Sequence, residues 1–311
     1  MISNKNNFST LKNIKENSEE LFYQKFSNNK KELFSLKNTG GLRKNKLFKS
    51  SEKNKPLISI ITVCYNSEKT LERSIQSVLN QNYENIEYIL IDGNSSDNTL
   101  NIINKYNDCI DLWVSEKDNG IYDAMNKGIL LSSGEIIGIL NSDDEYTSNA
   151  LTLVNRYFTE KNIDFLFGSV KKDRLLSGFH HKKISWKFNI YPAHSSGFFI
   201  SQKAQITAGL YDNNFKLHAD YDLIYRLVNK QMFKGVAMTR DHITGVFSNF
   251  GTSSKESSYD YFYEEFKIRK KNNQNIFFIT LLFVAKIIYN QLYKVKILKK
   301  IFYKLRKIFR Y

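Results

Sequence analysis

Only two cysteines, Cys64 and Cys109, occur in 311 residues, so no disulfide framework is implied and a reducing compartment fits. Proline is equally scarce, with two in the chain, and the abundance of Asn and Lys beside it reflects genome bias more than chemistry. No Gly-x-Gly-x-x-Gly follows the first strand pattern and no Walker-type Gly-Lys-Ser/Thr loop occurs, which argues against a dinucleotide dehydrogenase or a P-loop nucleotidase. The first residues are polar and lack the apolar core of a secretory signal. Apolar runs are short. The strongest, from Ile276 to Ala285, is ended by Lys286 well before the roughly 20 residues that a membrane span needs.

A basic excess is also missing where a polyanion binder would carry it. The net charge is +15, but residues 1–55 hold 13 Lys/Arg against 5 Asp/Glu, and the chain from Lys267 onward holds 13 against none. The middle is left acidic, with 20 bases against 26 acids. A nucleic-acid-binding domain carries its basic stripe on the fold itself, so no nucleic-acid partner is expected.

What is present is a regular alternation. Residues 1–55 read as a polar, basic, loosely structured extension with a short helix near Ser18–Phe26, closed by Pro56. The β-branched run Leu57 to Val63 alternates little and suits a strand covered on both faces. Cys64-Tyr65-Asn66-Ser67 is a loop, and Ser67 can cap a helix from Glu68 to Leu79. A second strand spans Ile86–Asp92, followed by the loop Gly93 to Asp97 and a helix through Leu100 and Ile103. A short strand from Ile110 to Ser115, a helix over Tyr122–Leu131 and a strand from Glu135 to Leu140 complete the series. This β-α-β-α-β-α-β order with short connections predicts an open, mostly parallel α/β sheet flanked by helices. Ligands bind such sheets at the carboxyl ends of the strands, where Cys64-Tyr65-Asn66, Asp92-Gly93-Asn94 and Asn141-Ser142-Asp143-Asp144-Glu145 carry polar groups. The last of these is either an acidic turn that caps the next helix or a seat for a hard divalent cation, which would cancel the repulsion between adjacent carboxylates. Further on, the pattern reads as a helix near Asn149–Phe158, a strand over Asp164–Val170, a polar loop Pro192 to Gly197 entering a strand, and a helix opening at Leu217 to Asp222. Cys64 reads as a small core or pocket-wall residue and Trp113 as core.

Taken in order, Ile60 to Asn66, Ser77 to Gln81, Ile91 to Thr99, Asp118 to Gly128 and Ser133 to Asp144 resemble the family-2 glycosyltransferases, which have the GT-A fold. The likeness is greatest to bacterial enzymes of exopolysaccharide, capsule and O-antigen assembly. It is dense over residues 57–146 and thinner over 190–254. The resemblance implies that Asp92 accepts from the donor base, with Tyr65 in the same pocket; that Asn126 belongs to the donor site; that Asp143 binds the ribose; and that Asp144 holds Mn2+ or Mg2+ bridging the diphosphate. It puts the catalytic base at Asp220, although an Asp at a helix start is commonly a cap. Two departures stand out: Ala219 replaces the Glu that precedes the base in the family, and Met125 replaces an Arg that many members have. His194, Asp222 and His242 are the candidates for acceptor or diphosphate contacts, with Asp222 also next in line as base.

The expected organisation is an extension over residues 1–55, a GT-A domain over 56–255 with a nucleotide half (56–146) and an acceptor half (147–255), and a basic amphipathic helical tail over 256–311. The expected activity is metal-dependent, inverting transfer from a nucleotide sugar, with UDP-sugar as donor, to a glycan or lipid-linked acceptor. The rival readings are a Rossmann-like methyltransferase, which would have no use for Asp143-Asp144, and a non-catalytic basic membrane or nucleic-acid adaptor. The tail is expected on an anionic membrane surface, with the enzyme cytoplasmic and peripheral on the inner face of the plasma membrane; the alternative is packing on the catalytic domain or a second subunit.

Overall fold

All seven residues of Ile58–Cys64 are buried, with Ile61 and Val63 in one apolar cluster and Ile58, Ile60 and Cys64 in another. Side chains alternate across a strand, so this segment has to lie centrally, with packing on both faces. The structure, a computed structural model, describes residues 38–179, 184, 195–230, 233–248 and 258–294. The expectations for Ser18–Phe26, His194 and residues 295–311 fall outside the described residues.

The first half runs β1 (Thr39–Gly40), β2 (Ile58–Cys64), α1 (Leu71–Leu79), β3 (Ile86–Asp92), α2 (Thr99–Lys105), β4 (Leu112–Ser115), α3 (Ile121–Leu131) and β5 (Ile136–Asn141). The second half runs β6 (Glu145–Tyr146), α4 (Ala150–Lys161), β7 (Phe165–Phe167), β8 (Ser169–Lys171), β9 (Leu175–Leu176), β10 (Phe198–Ser201), α5 (Gln202–Ala208), α6 (Ala219–Tyr225), β11 (Gly235–Ala237) and β12 (Ile243–Val246). Two helices follow, α7 (Ser258–Lys271) and α8 (Ile276–Lys294). Eight strands form one sheet in the order β1-β4-β3-β2-β5-β10-β7-β11, and four form a second in the order β6-β12-β8-β9. Strands β4, β3, β2 and β5 are mutually parallel, whereas β10 runs antiparallel between β5 and β7. Leu71, Ile75 and Val78 of α1 and Leu151 and Val154 of α4 pack on one face, and α3 and α6 pack on the other. The chain leaves β2 toward β3 on one side and later adds β5 on the other, which makes the carboxyl ends of β2 and its neighbours the topological switch point.

Three expectations change. The single strand over Asp164–Val170 is two strands, β7 in the large sheet and β8 in the small one, broken at Gly168. A Cβ there would fall 2.3 Å from Thr244 Oγ1, so the two sheets can meet only over a residue without a side chain. The extension does not stay loose up to residue 55. β1 pairs antiparallel with β4, Lys49 pairs with the buried Asp111 at 2.8 Å, and Arg43, whose side chain is 8% exposed, pairs with the buried Glu87 of β3. Finally, α7 is part of the fold and not of a free tail. Glu264 accepts the backbone N–H groups of Lys216 and Leu217 at 2.6 Å, and Arg269 is fully buried.

Burial alone would push the Glu87 carboxyl up, but Arg43, Ser133 and Ser59 outweigh it and hold it below the ordinary value. A carboxyl depressed in the fold contributes stability above its ordinary value of about 4.3 and loses it as pH falls through the folded value. Arg43→Ala is therefore expected to cost about 3 kcal/mol in urea unfolding at pH 7, the scale for stranding one partner of a buried pair. Its acid unfolding should begin at a higher pH than that of the wild type. An unchanged urea midpoint would show that the Arg43–Glu87 pair contributes nothing to the fold.

Candidate active site

Parallel register lines up the strand ends. Cys64 stands opposite Asp92, Asp92 opposite Ser115, and Val63 opposite Asn141. The loops that leave these ends are tied to one another. Asn66 N–H donates to Ser95 Oγ at 2.8 Å, Ser67 N–H to Thr99 Oγ1 at 2.7 Å and Ser96 N–H to Asn66 Oδ1 at 2.9 Å. The Ser67 and Ser142 hydroxyls lie 2.8 Å apart, which joins the carboxylate turn to the first loop. Asn66 and Asn94 have positive φ, a conformation that Asn tolerates better than most residues.

Asp92 is fully buried and accepts from Ser95 N–H at 3.1 Å, from the Ser95 hydroxyl and from the Ser115 hydroxyl at 2.6 Å. Its carboxylate therefore pins the loop after β3. Tyr65, at 64% exposure, leaves its ring open to a ligand. Gly93 is squeezed between Tyr65 and Asp118, since a Cβ there would meet Asp118 Oδ2 at 2.5 Å. Cys64 lines the floor with its thiol pushed up by burial and by Asp92, which keeps it unreactive.

Asp143 is half-buried, and burial raises its carboxyl. Asp144 has no exposed surface; Oδ1 accepts Ser248 N–H at 3.0 Å, and Oδ2 has no hydrogen-bond partner. Burial pushes its pKa up to about 7, against the pull of Lys172 and Arg73. Arg73 in turn pairs with Glu145 at 2.7 Å. Arg73 and Lys172 are the two bases whose charge acts on the Asp144 carboxylate. Met125 is buried in the core.

A divalent cation fits this arrangement. The orphaned Oδ2 is a hard, anionic ligand aimed at a place with no protein donor. Among the described residues no group of three or more His, Cys, Asp and Glu side chains could hold an ion by itself. That combination suits an ion bound by one or two carboxylates and completed by substrate phosphates and water, the usual habit of Mg2+.

Asp220 lies in the first turn of α6, half-buried, with Tyr122 Oη 3.2 Å from its Oδ1. Asp118, which abuts Gly93, also accepts the Gly120 N–H at the start of α3. Tyr122 follows two residues later, so Asp220 stands on the strand-end side of the sheet. Burial and the Asp220 charge together raise the phenols of Tyr122 and Tyr211, and Tyr261 to about 12, so this rim of hydroxyls stays protonated. Ala219 is fully buried, which leaves Asp220 as the only carboxylate of the pair that the family has here.

The remaining candidates go elsewhere. Asn126 gives its amide to Tyr211 and Asn213: Nδ2 donates to Tyr211 O and Asn213 Oδ1, and Oδ1 accepts from Tyr211 N–H, all at 2.9 Å. It clamps the 211–213 segment and has no N–H left to donate to a nucleotide. Asp222 is fully buried and receives Arg226 at 3.0 Å, Lys271 at 3.0 Å and Asn272 at 2.9 Å. That structural tie removes it as acceptor ligand or reserve base. His242 stands against Arg156 and Tyr157 at 3.2 and 3.1 Å, at the opposite end of β12 from Ser248. His194 lies outside the described residues. Sequence reasoning missed Ser248, Arg73, Lys172 and Tyr122; of these only Tyr122 sits inside a recognisable motif.

This architecture is the GT-A fold of nucleotide-sugar transferases. A mannosyltransferase of Pyrobaculum calidifontis, solved with GDP-Man and Mn2+, superposes with a TM-score of 0.55 at 11% identity, covering 94% of this chain and 88% of that one. The chain belongs to glycosyl transferase family 2, whose model matches residues 59–211. An uncharacterized glycosyltransferase of Mycobacterium tuberculosis is 32% identical over 182 residues, 55% of this chain and 68% of that relative. The Escherichia coli UDP-Glc:alpha-D-GlcNAc-diphosphoundecaprenol beta-1,3-glucosyltransferase WfgD is 38% identical over 114 residues, 36% of this chain and 45% of WfgD. The match thus spans less than half the length of WfgD.

A carboxyl whose folded pKa is raised keeps its full contribution to stability below the ordinary Asp value of about 3.9 and loses it as pH rises through about 7. Metal-free wild type should therefore lose stability on the order of 3 kcal/mol between those values. Asp144→Asn, free of this penalty, should melt at a higher temperature than the wild type at pH 8 and at a similar one at pH 4. Parallel pH profiles for the two proteins would deny the buried charge.

Proposed function

We propose that the chain transfers a sugar, with inversion, from a UDP-sugar to a hydroxyl of a glycan or lipid-linked acceptor in the assembly of a bacterial surface polysaccharide. The observation that carries this reading is the buried Asp144 carboxylate with an unpartnered oxygen, in the turn after β5 that the Ser67–Ser142 hydroxyl contact ties to the loop after β2. A methyltransferase would gain nothing from that carboxylate.

In this reading Tyr65 covers one face of the base, and Asp92 takes a base N–H in exchange for the Ser95 hydroxyl. Asp143 accepts from the ribose. Asp144 would hold Mn2+ or Mg2+, which when bound would supply charge neutralisation for a leaving diphosphate. Asp220 takes the proton of the acceptor hydroxyl as its oxygen attacks the anomeric carbon from the side opposite the diphosphate, and one such base suffices for a single displacement. Tyr122 fixes the carboxylate while it waits. A double-displacement glycosidase would instead need two carboxyls flanking the bond.

The name of WfgD gives a UDP-sugar as donor and an undecaprenol-linked sugar as acceptor, which supports both choices here. An acceptor on a membrane lipid implies a cytoplasmic enzyme peripheral to the inner face of the plasma membrane. No helix among the described residues is long and apolar enough to cross a membrane.

Asp220→Asn keeps shape and hydrogen bonding but cannot take a proton. Transfer should fall at least about a hundredfold, the scale of general-base catalysis, while UDP binding by calorimetry in Mn2+ stays within about twofold. Retained turnover would reduce Asp220 to a helix-end residue, and with Asp222 tied to Arg226 and Lys271 the base would have to lie elsewhere.

A further inference from the structure

Helix α8 buries a lysine and exposes much of its apolar surface. Its inward side carries Ile279 and Lys286, both buried, and Phe283, which packs on Tyr259, Tyr263 and Phe266 of α7, and the Lys286 ammonium pairs with the buried Glu265 of α7. Its outward side carries Phe277, Leu281, Val284, Ile288 and Leu292, all exposed, Phe277 by 83% and Leu281 by 70%. At 100° per residue these five fall within an arc of about 80°, and Lys286 lies about 180° from Phe277. A helix packing in water would do the reverse, because burying an ammonium is costly and exposing a phenylalanine forgoes its burial. That side is held inward by the Phe283 packing and by Glu265, which also accepts Arg269 Nε at 2.8 Å.

We propose that this face of α8 lies in the headgroup region of an anionic lipid bilayer. Charge argues for lipid over protein as the occupant: from Lys267 onward the chain has 13 Lys/Arg and no acid, and Lys267 and Lys270 of α7 are exposed. Geometry agrees. From Phe277 to Leu292 the stripe is about 22 Å long and only one side chain wide, a shape that lies along a flat surface. Lys286 at mid-helix prevents the same segment from spanning, whereas a helix with one apolar face and basic surroundings is held at an interface by apolar burial plus attraction to anionic headgroups. The surface would serve the lipid-linked acceptor proposed above. The experiment reads membrane contact and not transfer, so the two readings fail separately.

The full chain is floated with phosphatidylglycerol-containing phosphatidylcholine vesicles, alongside the exposed-face variant Phe277→Ser/Leu281→Ser. The wild type should float, more weakly as salt rises, and the variant should partition at least about tenfold more weakly while binding UDP as the wild type does. A second variant, Phe277→Trp, should show blue-shifted emission when vesicles are added. A third, ending at Lys294, should still partition more strongly than the double variant. Equal flotation of wild type and double variant overturns the proposal, as does unshifted tryptophan emission. Loss of all binding in the shortened chain overturns it in favour of residues 295–311. A wild type that ignores vesicles but dimerises through this face, with monomers in the double variant, overturns it in favour of a second copy.

Discussion

A carboxylate sealed from water with a single protein donor is the constraint around which the rest is arranged. Asp144 receives one N–H, from Ser248, a residue more than a hundred positions further along the chain. Desolvating a charge costs several kcal/mol even after relaxation, a large share of the 5–15 kcal/mol by which domains are stable. The small sheet exists in this light as the device that delivers Ser248: β12 lies between β6, which follows Asp144 directly, and β8. Arg73 on α1 and Lys172 beyond β8 lean on the same carboxylate from two other elements. A fold that only needed a stable strand end would have placed an Asn there.

Much of the first half was readable because its signals are local. β-branched runs mark strands buried on both faces, the polar residues follow at the strand ends, and parallel register then brings Cys64, Asp92 and Ser115 into one line. Trp113 in the core followed from the same reasoning. What could not be read depends on who meets whom across the chain. An Asp at the start of a helix looks the same whether it is half-buried against a tyrosine hydroxyl, as Asp220 is, or gripped by a lysine and an asparagine fifty residues away, as Asp222 is. Asn126 sits inside a motif that points to the donor, yet its amide matches the backbone of Tyr211. The strand that broke at Gly168 reads as continuous because periodicity does not record which sheet a residue joins.

The Asn126 clamp also explains how the two halves keep a fixed relation. α3 belongs to the first half of the sheet, and residues 211–213 lie between α5 and α6 in the second. The amide joins them by bonds to main-chain atoms, which are insensitive to the side chains of the segment that it holds. Tyr122, on the same helix, reaches Asp220 from there. One helix thus sets both the spacing between the halves and the direction in which the carboxylate looks.

Asp220 and Asp222 sit two residues apart on α6, one beside the crevice and the other gripped by Lys271 and Asn272 at the end of α7. Glu264, one helical turn before Ile268, holds the backbone just ahead of them. The C-terminal hairpin is thereby a splint on the helix that carries the carboxylate. Cutting the chain within α7 would remove the splint, so α7 is not an appendage of the helix that carries Asp220. A shortened chain that respects these mechanics has to keep α7 through Asn272.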